Sequence, residues 1–216
     1  MEYRIKKSIA SQIKETYAIE GEDAFKNIDI DCSEGINTVL FSKLAIEAFE
    51  SIDYKIMKDY PHSLKPKKSI IEFWKKYTDT DINKDNIVLC DGSIAALFLI
   101  NKLFIENGDK VLGVAPQFPE YGADVVAIGG IFDTYTLQPE NNYKFIADDF
   151  IAMIEDDLKL IYLDNPNNPT GQIIPIEDIE KVVKFAKDKN IVVLVDEAYG
   201  DYMNCDNSAI TLIPKY

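Results

Sequence analysis

Two polar segments of the chain follow strongly apolar runs and carry residue types that could hold a cationic aromatic cofactor. The first is the loop 165–171, which reads Asn-Pro-Asn-Asn-Pro-Thr-Gly. The second is the run 196–199, which reads Asp-Glu-Ala-Tyr. Because ligands bind at the carboxyl ends of the strands in an open parallel sheet, we expect both segments at one edge. A stiff, amide-bearing loop beside a buried acid would suit a ring with a positively charged nitrogen.

The acid of the second segment, Asp196, follows the five aliphatic residues 191–195. A carboxylate at such a buried position is costly unless it meets a positive partner, and a protonated ring nitrogen would be one. The alternative is an acid that caps the following helix. Tyr199, three residues later, could bring its hydroxyl to the same site.

Two further segments could complete a cofactor site. In the run 91–93, Gly92 permits a tight turn, Ser93 can cap a helix, and free amides of the first turn could hold a phosphate. The alternative is an ordinary strand-to-helix turn with a serine cap. In the run 116–121, two prolines stiffen the loop, so that Phe118 or Tyr121 could stack on a flat heterocycle. The alternative there is an aromatic ring in the core.

These segments require an α/β fold, with a mostly parallel sheet and helices on both faces, because short apolar strands alternate with helical patterns. The predicted strands are 87–90, 110–115, 131–136, 159–164 and 191–195. The predicted helices between them are 93–107, 119–129, 147–156 and 175–188. Before this region, isoleucines spaced four apart at 5, 9 and 13 favour an amphipathic arm. We therefore expect an N-terminal arm with helices over 1–62 and the α/β domain over 63–216.

Composition narrows the classes of partner and chemistry. With 23 basic and 37 acidic residues the net charge is −14, so we expect no nucleic acid and no anionic membrane surface as partner. The three cysteines are widely spaced and the one histidine is His62, which argues against a metal centre and a Ser-His pair. The opening residues are charged throughout, unlike a signal peptide, so a cytoplasmic location is the default expectation.

Taken together, these motifs resemble the class I/II aminotransferases of fold type I, which depend on pyridoxal 5′-phosphate. The closest resemblance is to the histidinol-phosphate aminotransferases and the related threonine-phosphate decarboxylases, and it covers residues from about 28 to the end. The resemblance implies the large-domain fold of these transferases, with pyridoxal 5′-phosphate as cofactor. It also implies an amino acid and a 2-oxo acid as substrates, and a homodimer.

The resemblance also implies roles for individual residues. Asp196 would hold the pyridinium nitrogen of the cofactor and keep it protonated. Tyr199 and Asn168 would hydrogen-bond the ring oxygen, and Asn168 would lie near the substrate carboxylate.

The other implied roles concern the phosphate and the face of the ring. Gly92, Ser93 and Ile94 match the loop that offers backbone amides to the phosphate. Phe118 matches the position that stacks on the ring. Tyr60 matches a tyrosine that reaches the phosphate bound by the neighbouring subunit, and the alternative is a simple loop tyrosine before a proline.

One departure from the family concerns its Schiff-base lysine, which follows the Asp-Glu-Ala-Tyr run by a few dozen residues. This sequence ends before that position, so we expect a sheet that is incomplete at its C-terminus and a chain that is inactive alone. Two alternatives to an aminotransferase are a pyridoxal-phosphate-dependent decarboxylase of the threonine-phosphate type and a non-catalytic remnant or interaction domain. A dinucleotide-binding oxidoreductase is disfavoured, because no Gly-x-Gly-x-x-Gly follows a predicted strand.

Overall fold

The computed structural model describes residues 5–10, 30, 41–58, 60 and 64–216, and these fall into two compact units. The larger unit contains helix α1 (Lys7–Ala10) and everything from residue 64 onward. The smaller unit contains helix α2 (Lys43–Glu50). Ser42 caps α2, since its hydroxyl oxygen accepts a hydrogen bond from the amide of Ala45 at 3.4 Å. Ile13 of the predicted amphipathic arm lies outside the described residues.

Four parallel strands form the sheet of the larger unit, in the order β2-β1-β3-β4. The strands are β1 (Lys110–Ala115), β2 (Ile131–Thr136), β3 (Leu158–Asp164) and β4 (Val192–Asp196). The helices of this unit after α1 are α3 (Leu64–Thr78), α4 (Gly92–Phe104), α5 (Pro119–Ile128), α6 (Ala147–Ala152) and α7 (Ile176–Asp188). The alternation of strand and helix confirms the predicted α/β class.

Helices cover both faces of the sheet, as expected, and each face has its own apolar cluster. On one face, side chains of β1 and β3 pack with α6 and α7; this cluster includes Leu112, Val114, Phe150, Ile161, Leu163, Ile179 and Val182. On the other face, the alternate residues of the same strands pack with α4 and α5; this cluster includes Leu97, Val111, Tyr121, Val125, Leu160 and Tyr162. Because successive side chains of a strand point to opposite faces of the sheet, each strand contributes residues to both apolar clusters.

The strand order reverses between β1 and β3, and such a reversal marks the place at the sheet edge where ligands bind in open α/β sheets. From β1 the chain passes through α5 to β2 on one side, whereas β3 lies on the other side of β1. The connections that leave two neighbouring carboxyl ends therefore diverge, and they open a crevice between the end of β1 and the end of β3. The loops 116–118 and 165–171 begin at these two ends.

One predicted strand is wrong. Residues 87–90 form no strand, although they are apolar. Val88 is 80% exposed and Leu89 is 42% exposed. A strand needs a neighbour to complete its hydrogen-bond ladder, and no described strand lies beside this segment. An apolar run by itself therefore over-predicted the sheet.

Among the described helices, α3 has 15 residues, fewer than the roughly 20 apolar residues that a bilayer crossing requires. Nowhere in the described part of the chain is a helix long and apolar enough to span a membrane.

The two clusters lead to a matched prediction on stability. Leu160 of β3 is fully buried, whereas Leu103 of α4 is 74% exposed. We expect Leu160→Ala to lower the free energy of unfolding by about 2–5 kcal/mol, because it leaves a cavity in the core. Leu103→Ala should change it by no more than about 0.5 kcal/mol. Urea denaturation measures both, and equal losses in the two variants would contradict this assignment of the core.

Candidate functional site

A cleft of about 180 Å³ lies where β3 and β4 end and where α4 and α5 begin. Its lining residues are Ser93, Phe118, Asp164, Pro166, Asn168, Asp196, Ala198 and Tyr199. The structure therefore brings together five residues that the sequence predicted for the site, namely Ser93, Phe118, Asn168, Asp196 and Tyr199. They come from four separate segments of the chain, as the edge of a parallel sheet allows.

Asp196 is the last residue of β4, and two hydrogen bonds hold its carboxylate. The hydroxyl of Tyr162 donates to Oδ2 at 3.2 Å, and the amide of Ala198 donates to Oδ1 at 3.0 Å. Each carboxylate oxygen has two lone pairs, so both keep capacity for a ligand in the cleft. The capping alternative is wrong, because the short turn Gly200–Tyr202 that follows has Tyr199 at its N-cap position.

A buried aromatic pair supports the acid. The rings of Tyr162 and Tyr121 are stacked with their centroids 3.6 Å apart, and both side chains are fully buried. The Tyr121 hydroxyl donates to Oδ1 of Asn101 at 3.0 Å, and Asn101 Nδ2 donates to Oδ2 of Asp124 at 2.9 Å. Burial, and then the nearby charge of Asp196, raises the pKa of Tyr162, so its hydroxyl stays a donor.

This pair corrects one expectation and reveals one omission. Tyr121 is an internal support and does not line the cleft, so the suggestion that it could stack on a ligand is wrong. Sequence analysis treated Tyr162 only as part of an apolar run. The available signal was the alternation of side chains along a strand. It places Tyr162 on the same side of the sheet as the last residue of the strand, two positions later.

The three asparagines of the loop 165–171 divide their roles. Asn165 is buried and accepts from the amide of Ile174 at 2.8 Å, which fixes the base of the loop. Asn167 is buried too, and its side-chain oxygen accepts from the amide of Thr170 at 3.2 Å. Asn168 lines the cleft, and its side-chain amide makes no hydrogen bond with any other residue that the structure describes. Only the last of the three is therefore available to a ligand.

Asp164, at the end of β3, is a site residue that sequence analysis missed. It is 4% exposed and lines the cleft next to Asp196, its partner in the parallel register. Its Oδ1 accepts from Asn167 Nδ2 at 2.8 Å, and its Oδ2 accepts from the amide of Asn168 at 3.0 Å. Burial raises the pKa of this carboxyl to about 6 despite those two hydrogen bonds, and Asp196 adds to the rise. The pattern that identified Asp196, an acid after an apolar run, was also present here.

The first turn of α4 differs in detail from the prediction. Asp91, at the N-cap position, makes no side-chain cap, and the hydroxyl of Ser93 bonds to no other described residue, so the predicted serine cap is wrong. The amide of Gly92, whose φ is 81°, donates to the carbonyl of Cys90 at 3.0 Å. The amides of Ser93 and Ile94 bond to no other described residue, and of these two residues Ser93 lines the cleft and Ile94 does not.

Glu197 and Tyr199 organise the segment after β4. The carboxylate of Glu197 accepts from the hydroxyl of Ser208 and, at 2.7 Å, from the amide of Ala209. Burial raises the pKa of Glu197, and these two hydrogen bonds oppose the rise. Glu197 therefore anchors the chain beyond the cleft, while Tyr199 lines the cleft itself.

One further residue completes the account of the predicted site. Tyr60 belongs to the smaller unit and is 90% exposed, and its role toward a neighbouring subunit remains a prediction. No lysine is among the described residues that line the cleft. No group of His, Cys, Asp or Glu that could hold a metal ion occurs in the same described part of the chain.

Comparison with known proteins defines the family. The family model described as aminotransferase class I and II matches residues 33–215, and the chain belongs to this family. Members of this family depend on pyridoxal phosphate. A histidinol-phosphate aminotransferase of Ruminiclostridium cellulolyticum is 32% identical over 216 residues, covering 98% of this chain and 57% of the relative. A histidinol-phosphate aminotransferase of Francisella philomiragia is 34% identical, covering 76% of this chain and 44% of the relative.

Solved structures agree with this family. An alanine aminotransferase from Pyrococcus furiosus superposes with a TM-score of 0.60 at 30% identity, covering 66% of this chain and 38% of that one. An aminotransferase from Mycobacterium tuberculosis, at 20% identity, shares the fold with a TM-score of 0.69, covering 76% of this chain and 43% of that one. The chain spans about half the length of the curated relatives it matches.

The raised pKa of Asp164 leads to a prediction on stability. An acid whose pKa is raised by folding adds stability below its ordinary value and loses that contribution as pH rises through the raised value, here about 6. Asp164→Asn removes this dependence. The free energy of unfolding of the variant minus that of the wild type should therefore increase by ~1 kcal/mol from pH 5 to pH 8. Urea denaturation at the two pH values measures it, and a pH-independent difference would disprove the raised pKa.

Proposed function

We propose that this chain forms the cofactor-binding part of a pyridoxal-phosphate-dependent enzyme that transfers an amino group between an amino acid and a 2-oxo acid. The observation that carries the proposal is the placement of Asp196. Its carboxylate is held by the buried Tyr162 hydroxyl and lines the same cleft as the uncommitted amide of Asn168. Membership of the aminotransferase family supports the same cofactor.

The donors and acceptors around the cleft fit that cofactor. Asp196 offers a negative charge to a protonated ring nitrogen. Asn168 and Tyr199 offer polar groups to the oxygen on the ring, and Phe118 offers an aromatic face. The unpartnered amides of Ser93 and Ile94, at the start of a 13-residue helix, suit a phosphate. The chain therefore supplies a partner for the ring nitrogen, the ring oxygen and the phosphate of pyridoxal phosphate, whereas no described residue that lines the cleft is a lysine for the aldehyde.

When bound, pyridoxal phosphate supplies a conjugated cationic ring that draws electrons from the α-carbon of an amino acid. The task of Asp196 is to keep the ring nitrogen protonated, and Tyr162 holds the carboxylate in place for that task. The task of Asn168 is to orient the ring oxygen, with its amide close to where a substrate carboxylate would lie. Phe118 excludes water from one face of the ring.

The named relatives are aminotransferases, so amino transfer, and not decarboxylation, is the activity that we propose. The family also favours this activity over the dinucleotide-binding alternative. Amino-acid metabolism is the corresponding process. We further propose a homodimer in which Tyr60 serves the neighbouring subunit, and a division of the chain at residues 62 and 63. The cytoplasmic location expected from the sequence stays a prediction.

Binding of pyridoxamine 5′-phosphate tests the proposal, since this probe has no aldehyde and cannot modify surface lysines. Asp196→Asn should weaken its binding at least about tenfold at pH 8, because the ring nitrogen loses its charged partner. Fluorescence titration gives the Kd. The control Asp201→Asn changes an exposed acid five residues away and should leave the Kd unchanged.

Absence of probe binding, or an equal Kd for Asp196→Asn and the wild type, would disprove the role of the cleft. Amino transfer itself is measured with the natural gene product, with a panel of amino acids as donors and a 2-oxo acid as acceptor. Release of carbon dioxide in place of a transferred amino group would replace this proposal by the decarboxylase.

A further inference from the structure

Asp164 lines two cavities at the carboxyl end of the sheet. The first is the cleft of about 180 Å³, which it lines together with Asp196 and Asn168. The second is a cavity of about 300 Å³, which it lines together with Lys144 and Tyr143. A buried acid that is not paired with a cation costs folding free energy, so the presence of Asp164 here needs an explanation.

The hydrogen bonds of Asp164 connect the strand end to the asparagine loop. Its Oδ2 accepts from the backbone amide of Asn168 at 3.0 Å. Its Oδ1 accepts from Asn167 Nδ2 at 2.8 Å. The carboxylate of Asp164 therefore fixes both the backbone of Asn168, whose side chain lines the cleft, and the side chain of Asn167.

The same contacts extend to the loop after β1. Asn167 Nδ2 also donates to the carbonyl of Pro116 at 3.0 Å, and Phe118 follows two residues later. A path of two hydrogen bonds thus leads from Asp164 through Asn167 to the segment that carries the aromatic face of the cleft. Both hydrogen bonds are donated by the side-chain amide of Asn167. The position of that amide therefore determines how the asparagine loop packs against the loop after β1.

We propose that Asp164 is a positioning residue whose carboxylate fixes Asn168 and the Phe118 loop as walls of one cleft. The inference rests on the proposed function only for the identity of the ligand. Asp164 acts through the two residues that it holds, Asn167 and Asn168. Its ionised form accepts both hydrogen bonds, whereas the protonated form has one oxygen that carries a hydrogen and serves the donors less well.

The charges around Asp164 determine how this positioning depends on pH. Asp196 on the neighbouring strand disfavours the ionised form. Lys144 and Tyr143 line the second cavity with it, and Tyr199 lines the cleft with it. Tyr162, two residues earlier on β3, stays protonated and adds no charge. A cationic ring in the cleft would favour the ionised form, so ligand binding and the ordered loop reinforce each other.

The first experiment uses the protein without ligand. In the wild type, the nitrogen and proton shifts of the Asn168 backbone amide should titrate with a midpoint near pH 6, because its acceptor changes charge. In Asp164→Asn this titration should disappear. An Asn168 amide that does not titrate in the wild type, or that titrates identically in the variant, overturns the proposal. The wild-type measurement requires no variant to fold.

The second experiment measures the Kd of pyridoxamine 5′-phosphate for the wild type and Asp164→Asn between pH 5 and pH 8. We expect the variant to bind about tenfold more weakly at pH 8. The ratio should approach one at pH 5, where the wild type is protonated too. Because the probe's own titrations affect both proteins equally, the ratio isolates Asp164. A ratio of one at every pH overturns the inference.

A matched control separates positioning from general loosening of the fold. Asn207 bonds the amide of Ile176 and the carbonyl of Ile174, each at 2.9 Å, near the loop but without contact to Asp164. Asn207→Ala should lower the Tm and leave the Kd and its pH dependence unchanged. If Asn207→Ala weakens binding with the same pH profile, the positioning role is wrong. Failure of the wild type to bind the probe at any pH would disprove the proposed function, while the Asn168 titration would still decide the role of Asp164.

Discussion

Two acids at the ends of neighbouring strands constrain the whole carboxyl edge of the sheet. Asp164 and Asp196 are partners in the parallel register of β3 and β4, and paired strands lie about 4.8 Å apart. Burial disfavours the ionised form of Asp164 most, and the nearby charge of Asp196 adds a smaller contribution. The loops that follow must therefore bring donors to these carboxylates, and their shapes are the consequence. The amides of Asn168 and Ala198 and the Tyr162 hydroxyl are three of those donors.

Two buried tyrosines connect Asp196 to the interior of the protein. Tyr162 reaches Asp196 from within the sheet, and its ring is held by the parallel ring of Tyr121. Tyr121 in turn bonds Asn101 of α4, which is fully buried. The helix whose first turn contributes Ser93 to the cleft is thus connected by hydrogen bonds and ring stacking to the acid on the other side of the cleft. A rigid core therefore fixes the distance between the expected phosphate end and the expected nitrogen end of the cofactor.

An excess of negative charge in the cleft is costly in the free protein and favourable when a cation binds. Burial of Asp164 without a cation raises its pKa to about 6, which means that the ionised form opposes folding at neutral pH. Proteins retain such destabilising groups where binding or catalysis needs them. Asp164 also ties the asparagine loop to the end of β3, because a loop that moved away would leave this buried carboxylate without its two donors.

The sequence alone determined the class of fold and the position of the main site segments. Apolar runs alternating with helical patterns predicted β1, β2, β3 and β4 to within about one residue of the observed ends, because burial on both faces requires such runs. The loop 165–171 was predicted at the carboxyl edge of the sheet, and its Pro166 and Asn168 line the cleft there. The same local logic failed for 87–90, where a strand depends on a neighbour that no local pattern specifies.

Only the tertiary structure decided which polar groups line the cleft and which bond within the fold. Asn165, Asn167 and Asn168 are chemically identical, yet contacts with distant residues leave only Asn168 open to the cleft. Tyr121 and Phe118 are three residues apart, and packing against β3 buries the first while the second lines the cleft. The pKa of Asp164 depends on the strand beside it. These outcomes arise from residues far apart in the chain, whereas the sequence pattern reports only local periodicity and composition.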